Sequence, residues 1–317
     1  MKAFFAALLI GLAPLSAMAA DDYPKQPVKI IVGFGPGAGG DIQSRLLAEE
    51  LRHELGGSFV VENMPGAGAT IAMGFAANAA PDGYTLLFGT SSHSASPYLF
   101  KKLSYDPYTA FTPIVAVSNV PLAVAVDAKL PIKSVEDLRA FAKSSGAPVA
   151  YAYGNTVGRI LGVDFIKKAG IQAIPIPYNS VPQATTDVIG GRIPLFFGDV
   201  SGIQAQVEGG QLRIIAIAAP ERLKIMPDAP TYGEQGIEDL DLTAWTGIMA
   251  PAGLSPEIAD KIAGAVTKIL KKPEFREQVE SKGGTLLDMA GDDFNAYLKN
   301  QFEVWAAKVS EAGIEPQ

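Results

Sequence analysis

Residues 28–51 read VKIIVGFGPGAGGDIQSRLLAEEL. The β-branched run Val28–Val32 predicts a buried strand, GFGPGAGG a tight turn, and the stretch from Asp41 to Leu55 an amphipathic helix. The same order recurs downstream. Phe59–Val61 is a second short strand and PGAGA a second glycine turn. Thr70–Ala80 is a small-residue helix stopped by Pro81-Asp82-Gly83, and Tyr84–Phe88 is a third strand. Strands alternating with helices predict parallel βαβ units with right-handed crossovers, an α/β fold.

Ile114–Val126 is another apolar, β-branched stretch, interrupted at Asn119 and Pro121. Ser134-x-x-Asp137 then has the form of a capping box and opens a second βα series. Strands are expected at 149–153, 173–176, 193–197 and 213–218, and helices from the Gly154-Asn155-Thr156 turn to about Lys168 and over 183–190. LDLTAWTGIMAPAG (240–253) is one more strand-like crossing. After it the pattern turns mostly helical, with Ser255-Pro256 suited to a helix start. Phe294, Leu298, Phe302, Trp305 and Val309 recur at spacings of three and four and form one core-facing stripe. The chain thus crosses twice between two lobes, near Val124–Asp127 and near Thr243–Ala250, and two crossings make a hinge. Residues 20–125 plus 244–317 are expected to form lobe 1, and 126–243 lobe 2.

The N-terminus, MKAFFAALLIGLAPLSAMAA, has Lys2, an apolar stretch from Ala3 to Leu12, and small residues at Ala17 and Ala19. This is the pattern of a cleavable export signal, residues 1–19, too short to span a bilayer. Cysteine is absent, which excludes disulfides, thiolate metal sites and a lipid-anchoring cysteine. The net charge of −7 deepens by one when Lys2 leaves. An acidic balance argues against nucleic acid and against anionic lipid, so a bound anion must be held by local dipoles.

Gly35-Pro36-Gly37-Ala38-Gly39-Gly40 fits G-x-G-x-x-G between a strand and a helix, with Glu62 at the end of the next strand, a dinucleotide fingerprint on paper. The export signal, the stiff Pro36 and the carboxylate of Asp41 speak against it. What remains is anion binding, because glycine lets backbone amides at a helix N-terminus approach a negative group closely. A purely structural turn is the plainer alternative.

The series YPKQPVKIIVGFGPGAGGDIQSRLLAEEL, VVENMPGAGATIA, AAPDGYTLLFGTSSH, LSYDPYTAFTPI, IPYNSVPQATTDVIGG, GGQLRIIAIAAPERL, MPDAPTYGEQGI and GIMAPAGLSPEI, in order over residues 23–315, resembles the Bug family, the extracytoplasmic solute receptors of tripartite tricarboxylate transporters. The resemblance implies a two-lobed periplasmic-binding-protein fold of type II, a Venus flytrap. It closes on a small organic acid in the periplasm and hands it to an integral membrane permease, as a monomer and without cofactor, metal or catalysis. Carried onto this chain, the ligand-binding positions are Phe34, Gly39, Gly40 and Asp41 in the first loop and Thr90, Ser91 and His93 at the third strand's end. In lobe 2 they are Asn155, Thr156, Arg159, Tyr178 and Asp199.

Each position keeps a second reading. Ser91 and Ser92 either point into the cleft or cap the next helix. His93 is a ligand or a satisfied polar residue, while His53 sits on an exposed helical pattern. Asp41 touches the ligand or caps its own helix. Arg159 stands where the family often has histidine, and either clamps a carboxylate or lies on the surface. Gly198-Asp199 replaces a common Asp-Asn pair, which shifts the acidic position by one. Trp245 walls the cleft or packs the lobe junction. An exported enzyme finds little support without a thiol, an H-x-x-x-H pair or a G-x-S-x-G elbow. A receptor serving a sensor kinase would share all these features.

Overall fold

The computed structural model describes residues 22–238 and 243–317; the expected export signal and the start of the 240–253 crossing lie outside them. The chain runs β1 (Val28–Val32), α1 (Gly39–Leu55), β2 (Phe59–Asn63), α2 (Thr70–Ala77), β3 (Thr85–Thr90), α3 (Ser91–Leu99) and β4 (Phe111–Asp127). It continues through α4 (Val135–Ser145), β5 (Val149–Tyr153), α5 (Thr156–Ala169), β6 (Ala173–Pro177), α6 (Val181–Ile189), β7 (Leu195–Asp199), α7 (Gln204–Glu208) and β8 (Leu212–Ala218). β9 (Thr243–Pro251), α8 (Pro256–Leu270), α9 (Pro273–Glu280), β10 (Thr285–Ala290) and α10 (Gly291–Ala312) complete it.

The two lobes repeat one design. In the first, β1 lies between β2 and β3, parallel to both; in the second, β5 lies between β6 and β7, parallel to both. This puts the carboxyl ends of the central strands, and the helix N-termini that follow them, on the same side of each sheet, where α/β folds bind ligands. The buried β-branched run VKIIV lies inside the first lobe's sheet, whereas the inner strands of the second, VAYAY and LFFGD, are built mainly of small and aromatic residues.

β4 joins the lobes as one strand. From Phe111 to Pro121 it pairs antiparallel with β9, and from Leu122 onward with β7 and β8. Asn119 and Pro121, expected to interrupt this stretch, instead sit where the pairing changes hands, and proline's missing amide costs least where the ladder is being exchanged. β9 returns beside it, with Thr243 opposite Pro121. Both hinge segments are thus strands fixed by register rather than loose linkers.

Local signals explain the element starts. Ser134 Oγ accepts from the Asp137 amide at 3.0 Å, and the Asp137 carboxylate accepts from Lys133 N at 2.9 Å. Ser255 Oγ accepts from Ile258 N, with Pro256 in the first helical turn. The stripe Phe294, Leu298, Phe302, Trp305 and Val309 is buried on α10. Trp305 and Val309 share a cluster with Ala95 and Leu99 of α3 and with Ile160, Leu161 and Phe165 of α5, so α10 also packs against the second lobe. β10 lies in the region expected to be mostly helical; it pairs antiparallel with β4 on the edge opposite β9.

Candidate functional site

The first glycine loop is held from below by Asp41. This carboxylate is buried and accepts from Gly37 N at 2.9 Å, Asn63 Nδ2 at 2.8 Å and Arg45 Nε at 3.0 Å. Burial alone would raise its pKa, but the Arg45, Gly37 and Asn63 hydrogen bonds together outweigh it and hold the group below the ordinary value. Asn63 Nδ2 also reaches Phe34 O at 2.9 Å. Gly37 has φ +81°, a conformation that glycine adopts without strain. With Asp41 spent on the loop and Ala38 lacking a capping side chain, the first-turn amides of α1 have no intrahelical partner and face outward.

At the end of β3, Thr90 Oγ1 accepts from Ser92 N at 3.3 Å. Ser91 Oγ accepts from Trp245 N at 2.8 Å and Ser94 Oγ from Trp245 Nε1 at 3.3 Å. Ser91 is therefore committed to the hinge. Ser92 is fully buried and its Oγ has no hydrogen-bond partner. His93 lies elsewhere, at 1% exposure among Tyr105, Phe111 and Phe302, with ring centroids 5.2–6.4 Å away. Burial pushes its pKa down to about 4, opposed only by its bond to the Pro107 carbonyl, and Nδ1 is unpartnered.

In the second lobe Asn155 caps α5, its Oδ1 accepting from Gly158 N at 2.8 Å and its Nδ2 donating to Asp199 Oδ1 at 3.0 Å. Ser201 Oγ donates to Asp199 Oδ2 at 3.2 Å. Burial raises the pKa of Asp199 above the ordinary carboxylate value despite these bonds. Thr156 Oγ1 donates across the cleft to Gly68 O at 3.1 Å. Arg159, half-buried in the first turn of α5, donates its backbone amide to Asn155 O at 3.2 Å, while its side chain has no hydrogen-bonding or ion-pair partner among the described residues; its charge is felt by Tyr151 and Tyr153. Tyr178 donates to Asp187 Oδ2 at 2.6 Å on the lobe's flank.

The lobes meet around these loops. A Cβ built on Gly35 falls 3.1 Å from Ser180 Cβ, and one on Gly39 falls 2.5 Å from Asp199 Oδ2. Between them lies a cavity of about 190 Å³, smaller than the ~300–1,000 Å³ of drug-sized pockets. Phe34, Gly39, Gly40, Thr90, Asn155 and Asp199 line it; Asp41, Ser91, His93, Thr156, Arg159 and Tyr178 do not. Trp245 both lines the cavity and packs edge-on against Phe294 at the lobe junction. The wall also includes Ser92, Ser118, Ser201 and Thr246, and a segment from Gln278 to Gly284. Ser92 was legible as one of two adjacent hydroxyls, but which one faces inward is set by the pitch of α3. Asp199 and Lys282 are the charged side chains among the described residues of the wall.

The family model for the tripartite tricarboxylate transporter family receptor matches residues 43–314. The chain belongs to that receptor family. A curated relative, a UPF0065 protein of Bordetella bronchiseptica, is 32% identical to the receptor over 98% of this chain and 92% of its own length. Three solved structures share the architecture. The periplasmic binding protein BugD has a TM-score of 0.89 at 30% identity, covering 93% of the receptor and 100% of BugD. Rpa4515 of R. palustris, solved with adipate, has a TM-score of 0.90 at 26% identity, covering 93% and 100%. MatC of Rhodopseudomonas palustris, solved with malate, has a TM-score of 0.85 at 26% identity, covering 90% and 100%. The receptor therefore has the two-lobed α/β architecture of periplasmic binding proteins.

Proposed function

We propose that the receptor captures a small organic acid in the interlobe cleft and delivers it to the membrane permease of a tripartite transporter. In this reading it is exported through a cleavable signal at residues 1–19 and works as an untethered periplasmic monomer, without catalysis. The observation that carries the proposal is the convergence of the α1, α3 and α5 N-termini on one cavity that also holds the unpaired Ser92 hydroxyl. Helix N-termini favour negative charge, but each supplies at most about 2 kcal/mol, whereas micromolar affinity requires about 8 kcal/mol. Hydrogen bonds and the exclusion of water on closure must supply the rest.

Ligand contact is assigned to Phe34, Gly39, Gly40, Thr90, Asn155 and Asp199, joined by Ser92. Asp41 then acts by fixing the amides of the first loop, and Thr156 by tying the lobes together through Gly68. That adipate and malate occupy related receptors supports a carboxylate as ligand. Calorimetry and thermal-shift screening of the mature protein against mono-, di- and tricarboxylates and neutral analogues tests the reading, and no heat or melting response to any acid would overturn it.

Two substitutions probe the poles. Ser92→Ala is expected to weaken an acid about tenfold, the range of a hydrogen bond to a charged group, with no fall in melting temperature, because the hydroxyl has no protein partner to lose. Equal affinity in the variant removes Ser92 from the site. Arg159, with its side chain unpaired in the first turn of α5, adds its charge to the field of that helix end. Arg159→Gln should weaken a dicarboxylate several-fold at low salt and less at high salt, and a neutral analogue not at all; identical losses for both would place Arg159 outside the binding field.

A further inference from the structure

The cavity wall carries an acidic group where an acid is expected to sit. Asp199 ends β7, half-buried, and lines the same cavity as Gly39, Gly40 and Thr90. Its Oδ2 faces the start of α1, 2.5 Å from where a Cβ on Gly39 would stand. Ser92, fully buried and with an unpartnered hydroxyl, lines that cavity too. A second carboxylate brought here meets a like charge, and a ligand that fills the cavity also strips water from Asp199. Both effects disfavour two ionised carboxylates side by side.

The donors to Asp199 are neutral: Asn155 Nδ2 at 3.0 Å on Oδ1, Ser201 Oγ at 3.2 Å on Oδ2, and the backbone amides of Gly202 and of Asp199 itself. The charged groups on the elements packed around it are engaged elsewhere or turned to solvent. On α1, Asp41 is paired with Arg45; on α6, Asp187 is held by Tyr178 and Arg192. On α7, Glu208 accepts from Gln204, and on α9, Glu280 is paired with Arg276. The Arg159 charge on α5 is felt by Tyr151 and Tyr153. Lys282 stands on the turn after α9, which packs on Val200 beside Asp199, but its side chain is exposed and makes no ion pair with Asp199 among the described residues. Burial accordingly outweighs the hydrogen bonds and raises the pKa of Asp199.

Taking as given the reading above that the cleft captures an organic acid, we infer that Asp199 takes up one proton from solvent as the acid binds, so that the two carboxyl groups meet as a hydrogen-bonded pair sharing a single negative charge. The hydrogen bonds decide which oxygen holds the proton. Asn155 Oδ1 accepts from Gly158 N at 2.8 Å, so its Nδ2, a donor only, faces Asp199 Oδ1, and that oxygen stays an acceptor. The Ser201 hydroxyl on Oδ2 can accept as well as donate and is able to turn. The proton therefore sits on Oδ2, whose O–H donates to a ligand carboxylate oxygen beside the first turn of α1. Neutralising Asp199 leaves the positive helix ends, about half a unit charge each, to the bound acid.

The test is calorimetry of the mature protein with acetate, malate, adipate and benzoate at about pH 7.5, in phosphate and in Tris, buffers whose heats of ionisation differ widely. With each acid that binds, the native receptor is expected to draw close to one proton from the buffer. Between about pH 7 and 8, where the probes are already ionised, its affinity should fall by up to tenfold per pH unit as the proton becomes scarcer. Asp199→Asn, whose amide oxygen can still accept from Asn155, should take up no proton and bind with an affinity flat over this range. At pH 8 it should bind more tightly than the native protein, by roughly tenfold. Melting curves check that the variant folds. Equal heats in the two buffers for the native protein, or the same proton uptake in the variant, overturn the shared proton while leaving acid capture standing. No binding of any of these acids overturns both.

Discussion

Gly39→Ala is expected to weaken binding of an acid by roughly ten- to a hundredfold while leaving the melting temperature of the ligand-free protein nearly unchanged. Gly39 is the first residue of α1, has no positive φ, and sits in a turn where alanine is locally at ease. What it lacks is room across the cleft. The added Cβ meets Ser201 Oγ and, at 2.5 Å, Asp199 Oδ2. Asp199 cannot swing aside freely, because it holds the Asn155 amide that caps α5 and accepts from Ser201. Overpacking of this kind costs about 1–3 kcal/mol, and here the cost falls on the closed arrangement alone. Small-angle scattering should therefore show the variant staying open at ligand concentrations that close the native receptor. Native affinity together with native closure would mean that the lobes do not press on Gly39.

The outcome bears on what the sequence makes legible. Strand, glycine turn and helix at residues 28–55 are written in local pattern, as are the Ser134 and Ser255 caps and the α10 stripe, because each depends on neighbours within four residues. The cavity wall is different. Val120 arrives on the long β4 strand and Lys282 on the turn after α9, and only the pairing of β10 with β4 carries that turn to the hinge. β10 itself, TLLDMA, is six residues long and lacks clean alternation, so its strand character comes from the edge it joins. Direction of side chains is equally hidden. Asp41 and Ser92 both stand in the first turn of helices at the cleft, yet one is consumed by Gly37, Arg45 and Asn63 and the other is left without a partner.

His93 gives the second large effect, and it concerns stability. The imidazole is enclosed by Tyr105, Phe111 and Phe302 and keeps its proton on the side of the Pro107 carbonyl. Charging it inside this ring cluster is unfavourable, which sets its folded-state pKa at about 4 against an ordinary 6.5. Because the folded value is the lower one, the unfolded chain binds the proton first as the medium is acidified. The contribution is fully present above pH 6.5 and is lost as pH falls from 6.5 toward 4. At 1.36 kcal/mol per unit the loss reaches about 3 kcal/mol. Urea unfolding at a series of pH values should show the native protein weakening across this window by about that much more than His93→Gln, which keeps a donor for Pro107 without a titrating ring. Parallel curves for the two proteins, or an imidazole titrating near 6.5 by NMR in the folded state, would show that the ring is hydrated and not enclosed.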